Sequence, residues 1–275
     1  MLTVNTNTGA MTALQYLDQT NAQLQTTQNA INSGLKVASA KDDGATFAIA
    51  QNMRGDVAGY QSVTDSLNRG ISSVDTALSA GQSISDLLIE MKQKALSASD
   101  QSLDTASRQA LNEDFTALRD QITSIINNAV FNGFNLVDGS TTQITALASS
   151  DGTRKITVSA ENMSLGGSIT TVASNGTIST QAKASTMIST VEASLTNVNS
   201  ALARLSSGEK KFSIQSTFVS NLSDTLTTGI GNLVDADMST ESAMLQSLQV
   251  KQQLGVQALS IANSAPQIVL SLFKG

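Results

Sequence analysis

The stretch DADMSTESAMLQSLQVKQQLGVQALSIANSAPQIVLSLF, residues 235–273, carries a heptad seam along most of its length. The seam positions follow one another at alternating steps of three and four residues, which is the period of one helix packing along another. The stretch therefore predicts a long helix that lies against a partner. Its seam positions are Leu245, Leu248, Gln252, Gly255, Leu259, Ala262, Pro266, Val269 and Phe273.

A matching seam lies at the other end of the chain, over residues 14–38. Neither stretch has a core of its own, so we expect the two to pair. Their apolar side chains are too few to offset the entropy of ordering both stretches, and we expect the ends to be loose in the monomer and ordered where other molecules cover them. The N-terminal seam positions are Leu14, Leu17, Asn21, Leu24, Gln28, Ile31, Leu35 and Ala38.

Three of these positions are polar: Asn21, Gln28 and Gln252. A buried polar residue in a coiled coil fixes the register of the helices at some cost in stability. The three residues are therefore candidates for setting register, and the alternative that they are solvated defects stays open.

Composition excludes several classes of function. The chain has 275 residues and a net charge of −6, with no basic cluster, which argues against nucleic-acid and anionic-membrane partners. It has no His and no Cys, so the commonest general base, the commonest metal ligand and thiolate chemistry are all missing. We expect no enzyme activity, no cofactor and no metal.

The first nine residues lack the features of a cleaved secretory signal, and no apolar run approaches the length of a membrane span. These features are typical of a cytosolic protein or of one that is exported without a cleaved signal.

Between the ends, further seams predict long helices over residues 44–98, 111–129 and 188–233. In the first of these the apolar positions shift beyond Gly81, as a stutter would cause. Three such helices close into an antiparallel bundle. Residues 139–183 change to Ser, Thr and Gly, with β-prone runs at 143–147, 155–158 and 168–172 that predict one or two exposed hairpins.

The pairs of acidic residues in the sequence do not match a metal-binding motif. Residues 235–239 begin like a calcium loop, but Thr240 stands at its sixth position and Gln246 at its twelfth, where glycine and an acid are required. We interpret these carboxylates, and Asp42 and Asp43, as helix starts.

Five motifs, in order along the chain, resemble bacterial flagellins. The resemblance covers roughly residues 1–139 and 183–275, and the central part that does not match is the variable region of that family. The motifs are VNTN at 4–7, INSGLKVASAKDD at 31–43, FNG at 131–133, DADMSTE at 235–241 and PQIVLSLF at 266–273.

The resemblance implies a mainly α fold, in which both chain ends form a long antiparallel helical coiled coil and the centre holds a small β-hairpin region. The inner coiled-coil domain maps to residues 1–43 and 236–275. A helical rod domain maps to 44–235, with the hairpin insert at about 139–183. The inner-layer assembly seam then consists of Leu14, Leu17, Leu24, Ile31, Leu35, Leu245, Leu248, Leu259, Val269 and Phe273.

The same resemblance implies a subunit that polymerises into the extracellular flagellar filament for swimming motility. Family members leave the cell unfolded through the flagellar channel and assemble at its tip. The implied partners are further copies, other flagellins, the filament cap, hook-associated proteins and an export chaperone on residues 238–273. Alternatives kept open are a hook–filament junction protein and a cytosolic regulatory coiled coil.

One departure concerns recognition by the host. In flagellins that the animal Toll-like receptor detects, an Arg stands at the position of Glu90 and a Leu at the position of Lys94. The resemblance therefore implies weak activation of that receptor.

Overall fold

The computed structural model describes the backbone of residues 6–272 and the side chains of residues 6–264. Long helices dominate the described part, and this confirms the predicted mainly α fold with a small hairpin region. The elements are α1 (Thr8–Ser33), α2 (Gly44–Ala98), α3 (Thr105–Asn128), β1 (Val130–Phe131), β2 (Phe134–Asn135), β3 (Gln143–Leu147), β4 (Lys155–Ser159), α4 (Gln181–Val234) and α5 (Met238–Leu272).

The chain divides into two compact units. The smaller unit holds the residues up to Gly55 together with those from Thr225 onward, and the larger unit holds Asp56–Asp224. The expected domain boundaries at 43/44 and 235/236 coincide instead with the breaks that precede α2 and α5. They stay a prediction.

The core of the larger unit is aliphatic and follows a heptad. On α4, every seventh residue from Val191 to Val219 is fully buried, including Leu205 and Phe212. Phe115 and Ile122 of α3 belong to the same core, seven residues apart. This spacing keeps one stripe of each helix against its neighbours, which is why the sequence pattern predicts these helices well.

The buried positions of α2 keep alternating steps of four and three past Gly81, so the predicted stutter is wrong. The predicted seam ran through Ile71 and Leu78, which are half-buried, and missed the small residues next to them, Gly70 and Ala77, which are buried. The buried seam of α2 is Val63, Leu67, Gly70, Val74, Ala77, Gly81, Ile84, Leu88, Met91, Ala95 and Ala98.

Three glycines of α2, eleven residues apart, allow close approaches. A Cβ at Gly59 would lie 2.8 Å from the backbone oxygen of Ser150, in the loop between β3 and β4. A Cβ at Gly70 would lie 3.1 Å from the ring of Phe212, and one at Gly81 would lie 2.6 Å from Leu202. These glycines weaken the isolated helix, but each leaves room for a neighbouring element.

The hairpin β1–β2 forms where Asn-Gly predicts a tight turn. Asn132 and Gly133 both have positive φ, of 50° and 83°, as a two-residue hairpin turn of this kind requires. The buried Asn135 amide then donates to the Ile126 carbonyl oxygen over 2.7 Å, and its own oxygen accepts the backbone N–H of Val137. The hairpin is thereby fixed to the end of α3.

The second hairpin pairs β3 with β4 in antiparallel register, with Thr145 opposite Thr157. The strand predicted over 168–172 is wrong. There the Thr171 N–H donates to the Ser194 hydroxyl on α4, and the Thr171 hydroxyl donates to the Thr190 carbonyl oxygen. The segment therefore lies on a helix instead of in a sheet, with Val172 buried.

In the smaller unit, α1 ends at Gly34, whose φ of 73° is the left-handed conformation of a helix C-cap. The chain then extends, and the Lys36 N–H donates to the Val234 carbonyl oxygen while the Ala236 N–H donates to that of Gly34. Val37, Ala50 and Val234 form a small buried cluster beside these bonds.

Two glycines of α2 should respond to alanine in opposite ways. A Cβ at Gly59 meets the Ser150 backbone, whereas one at Gly55 has nothing within 4 Å. We expect Gly59→Ala to lower the free energy of unfolding by about 1–3 kcal/mol through overpacking. Gly55→Ala should raise it by about 0.5–1 kcal/mol, because alanine favours the helix. Urea unfolding of both variants checks this, and shifts of the same sign would contradict the close approach at Gly59.

Candidate assembly site

The two chain ends pack against each other as an antiparallel pair of helices, α1 and α5. Leu17 of α1 lies over Gly255 of α5, where a Cβ would approach its side chain to 3.2 Å. Further along, the Gln252 amide donates to the Asn21 side-chain oxygen over 2.7 Å. Rising residue numbers on α1 thus meet falling numbers on α5. The expected pairing of the ends is present in the subunit.

Carboxylates begin the helices that flank the breaks. Asp237 caps α5: its carboxylate accepts the Ser239 N–H over 2.9 Å and the Thr240 hydroxyl over 2.8 Å. Asp43 accepts the Thr46 hydroxyl and the backbone N–H of Ala45 at the start of α2. The helix-start interpretation of both residues is confirmed. The same interpretation is wrong for Asp42, which closes the preceding turn by accepting the Ser39 N–H.

These hydrogen bonds favour the charged form of each cap. The Thr46 hydroxyl, and next its N–H, lower the pKa of Asp43 below its ordinary value. The hydroxyl and N–H of Thr240 do the same to the pKa of Asp237. Within the described residues, no group of acidic side chains is placed to hold a metal ion.

The predicted assembly seam is largely half-buried in the subunit. Leu248 is buried, at 3% exposure, whereas Leu14 is 47% exposed. The Val269 side chain and all of Phe273 lie outside the described residues. The remaining members are half-buried, namely Leu17, Leu24, Ile31, Leu35, Leu245 and Leu259. Their role in assembly stays a prediction.

A second apolar stripe lies on α5 that the sequence analysis did not predict. Val250, Leu254 and Ile261 are 55%, 57% and 71% exposed. At 3.6 residues per turn they lie within about 40° of one another around the helix. We call them the outer α5 stripe. Their steps of four and seven residues are visible in the sequence, but the sequence analysis followed the longer heptad seam on the opposite side of the helix.

The candidates for setting register differ in their surroundings. Asn21 and Gln252 share the hydrogen bond between α1 and α5, at the surface of the pair. Gln28 is exposed on α1. The register role of all three stays a prediction.

The residues of the expected receptor patch lie on α2 in the larger unit. Glu90 is exposed. Lys94 is half-buried, and its Nζ lies 2.6 Å from the Asp114 carboxylate of α3. Met91, between them, is fully buried. The effect of Glu90 and Lys94 on a receptor stays a prediction.

Comparison with known proteins identifies the family. A model of the bacterial flagellin N-terminal helical region matches residues 4–142, and a model of the C-terminal helical region matches residues 188–273. The chain belongs to the bacterial flagellins. Flagellins are structural proteins. Among residues 6–272, none of the helices combines the length and the hydropathy that a membrane span requires.

Individual relatives agree. The flagellin FljK of Caulobacter vibrioides is 53% identical over 98% of each chain. A flagellin of Brucella melitensis is 37% identical over the full length of both chains. A solved structure of a putative flagellar hook-associated protein from Vibrio parahaemolyticus is 15% identical, with a TM-score of 0.56 over 70% of this flagellin and 100% of that chain. That last likeness concerns the fold alone.

Acid should loosen the first turns of α2 and α5. Because the folded-state pKa values of Asp43 and Asp237 are lowered, their stabilisation is present above the ordinary carboxyl pKa of about 4 and is lost as the pH falls through the folded values. Hydrogen exchange at the amides of Ser239 and Thr240 should therefore accelerate on acidification, beyond the intrinsic change in exchange rate.

Asparagine at both caps keeps an acceptor but does not titrate. The double variant Asp43→Asn/Asp237→Asn should lose less protection than the parent over the same pH range. Asp18→Asn, which removes a carboxylate in the middle of α1, serves as the matched control and should respond like the parent. An equal acid response in the double variant and the parent would contradict the role of the caps.

Proposed function

We infer that this flagellin is the structural subunit of a flagellar filament and that it polymerises through the α1–α5 pair. The observation that carries this inference is the amount of apolar surface left uncovered on the pair. Besides the outer α5 stripe, Met11 and Tyr16 of α1 are 64% and 65% exposed. A surface helix of a protein that acts alone is normally polar on its outer face.

The same surface argues for contacts between copies. Contiguous exposed apolar residues mark interfaces, whereas single ones are ordinary. The outer α5 stripe runs along the helix and so suits another helix as its partner. We propose that the partner is a different face of the next copy. Contacts between unlike faces build an open helical polymer when the rotation from one copy to the next does not close them into a ring.

The filament subunit is favoured over a hook–filament junction protein. Flagellins share 53% and 37% of their residues with this chain over nearly its full length. The solved structure of the putative hook-associated protein is 15% identical in sequence, and identity at this level indicates a shared fold alone. We therefore place the protein in the extracellular filament, together with other flagellins.

Further partners follow from the exposed side chains of α5. Before assembly the outer α5 stripe has to be shielded, and a chaperone groove that accepts an amphipathic helix suits this purpose. We propose that an export chaperone holds residues 238–273, that the chain passes unfolded through the flagellar channel, and that it meets the filament cap and the hook-associated proteins on arrival.

Polar substitutions in the outer α5 stripe should weaken polymerisation without unfolding the subunit. The triple variant Val250→Gln/Leu254→Gln/Ile261→Gln keeps good helix formers on side chains that are already exposed. Each apolar side chain that a neighbour fully covers contributes about 1.5–3 kcal/mol. We expect the critical concentration for seeded growth to rise by at least about tenfold.

The matched control is Gln249→Ala/Gln253→Ala/Ser260→Ala, which changes exposed polar residues of the same helix that lie outside the outer α5 stripe. Sedimentation and electron microscopy measure filament growth, and circular dichroism checks that each variant subunit is folded. Growth of the parent to unlimited length separates a filament subunit from a junction protein. A triple Gln variant that grows as readily as the parent would rule out the stripe as a contact.

Receptor activation should be weak in the parent and stronger in the variant Glu90→Arg/Lys94→Leu, because Glu90 reverses a charge and Lys94 replaces an apolar residue relative to detected flagellins. The loss of the Lys94–Asp114 ion pair should change the free energy of unfolding little, because both side chains remain accessible to water. A reporter assay for the animal Toll-like receptor, with purified monomer, measures the effect. Strong signalling by the parent would contradict the expectation.

A further inference from the structure

Asn7 makes two hydrogen bonds that join the two ends of the chain. Its side-chain oxygen accepts the Ala10 N–H over 3.0 Å, which caps α1. Its side-chain nitrogen donates to the Ala262 carbonyl oxygen of α5 over 2.7 Å. The partners fix the orientation of the amide, because an N–H only donates and a carbonyl oxygen only accepts.

The Ala262 carbonyl needs such a donor. In an α-helix it would accept the N–H of the residue four positions on, which is residue 266. Residue 266 is the one proline of the chain, and proline has no backbone N–H. The helix therefore leaves this carbonyl without its usual donor, and the Asn7 amide supplies a replacement.

We propose that Asn7 and Pro266 together form a clasp that fixes the register of α1 on α5. Elsewhere in the interior of α5 the carbonyl oxygens are engaged by the helix itself, so a shifted α1 would bring Asn7 to a carbonyl that already has its donor. Pro266 marks one carbonyl, and Asn7 recognises it. The same side chain starts α1, so the first turn of α1 is coupled to the docking of α5.

The Asn21–Gln252 bond lacks this selectivity. Both partners are side chains at the surface of the pair, and the Gln252 side chain has three rotatable bonds with which to follow a shifted neighbour. Asn21 also acts as the acceptor, a role that aspartate fills equally well. Replacing Asn by Asp therefore removes the donor at Asn7 but leaves the hydrogen bond at Asn21 intact, which provides a matched control.

A disulfide probe measures the clasp in the full-length chain. A Cβ at Gly9 would lie 4.0 Å from the Ala262 Cβ, which is within the range of disulfides. The chain has no cysteine, so Gly9→Cys/Ala262→Cys gives a single unambiguous pair. Its equilibrium with glutathione yields the effective concentration of the two thiols, even if the ends pair only part of the time.

In this background we expect Asn7→Asp to lower the effective concentration about two- to tenfold, the net worth of one hydrogen bond. Asn21→Asp should leave it within about twofold, because its carboxylate still accepts from Gln252. With Pro266→Ala the helix regains the N–H for the Ala262 carbonyl. Asn7→Asp should then change the value by less than about twofold.

The outcomes separate the clasp from a simple helix cap. As a cap alone, Asp is as good as Asn and carries a favourable charge, so an unchanged or increased value for Asn7→Asp would overturn the proposal. An equal loss with Pro266→Ala, or no disulfide in the parent background, would also overturn it. The measurement uses dissolved chain, so failure to form filaments tests the proposed function separately.

Discussion

The constraint on which this structure depends is that a heptad stripe of apolar side chains has to be covered. In the larger unit the stripes of α2, α3 and α4 cover one another, and Leu88, Phe115 and Leu205 are fully buried. In the smaller unit, the described residues of α1 and α5 pack mainly against each other. Two helices bury one line of contact, so the outer α5 stripe remains exposed.

Small residues shape the larger unit as much as large ones do. Glycine costs helix stability, yet Gly59, Gly70 and Gly81 recur on one face of α2, each where another element comes within contact distance. Gly208 of α4 similarly faces Val158 of β4, at a point where a Cβ would clash. These close approaches let the elements pack tightly in a chain with only 3% aromatic residues.

The helices were predictable because periodicity is a local property. The limits predicted for α2 match the observed helix, Gly44–Ala98, and Asn132–Gly133 forms the predicted turn. The run at 168–172 has the composition of a strand, but the Thr171 N–H donates a hydrogen bond to the Ser194 hydroxyl. No pattern in the sequence around Thr171 predicts that partner. The Asn7–Ala262 hydrogen bond could not be predicted for the same reason, because it joins residues 255 positions apart. Sequence patterns identify the elements, whereas single long-range hydrogen bonds depend on the completed fold.

In the proposed assembly, incomplete burial at the chain ends leaves apolar side chains available for contacts between copies. A terminal pair that buried all its apolar residues would be stable alone and would have no exposed apolar side chains for contact with another copy. With Leu248 covered and Leu254 exposed, the pair keeps a defined contact surface at little cost in monomer stability. The proposed assembly also requires a defined register, because the outer α5 stripe would face a neighbouring copy correctly only when α1 and α5 are correctly aligned. Apolar side chains adapt to a slip more readily than directional hydrogen bonds do, so a polar contact with one specific backbone carbonyl, such as that of Asn7 with Ala262, suits alignment better than the apolar seam does.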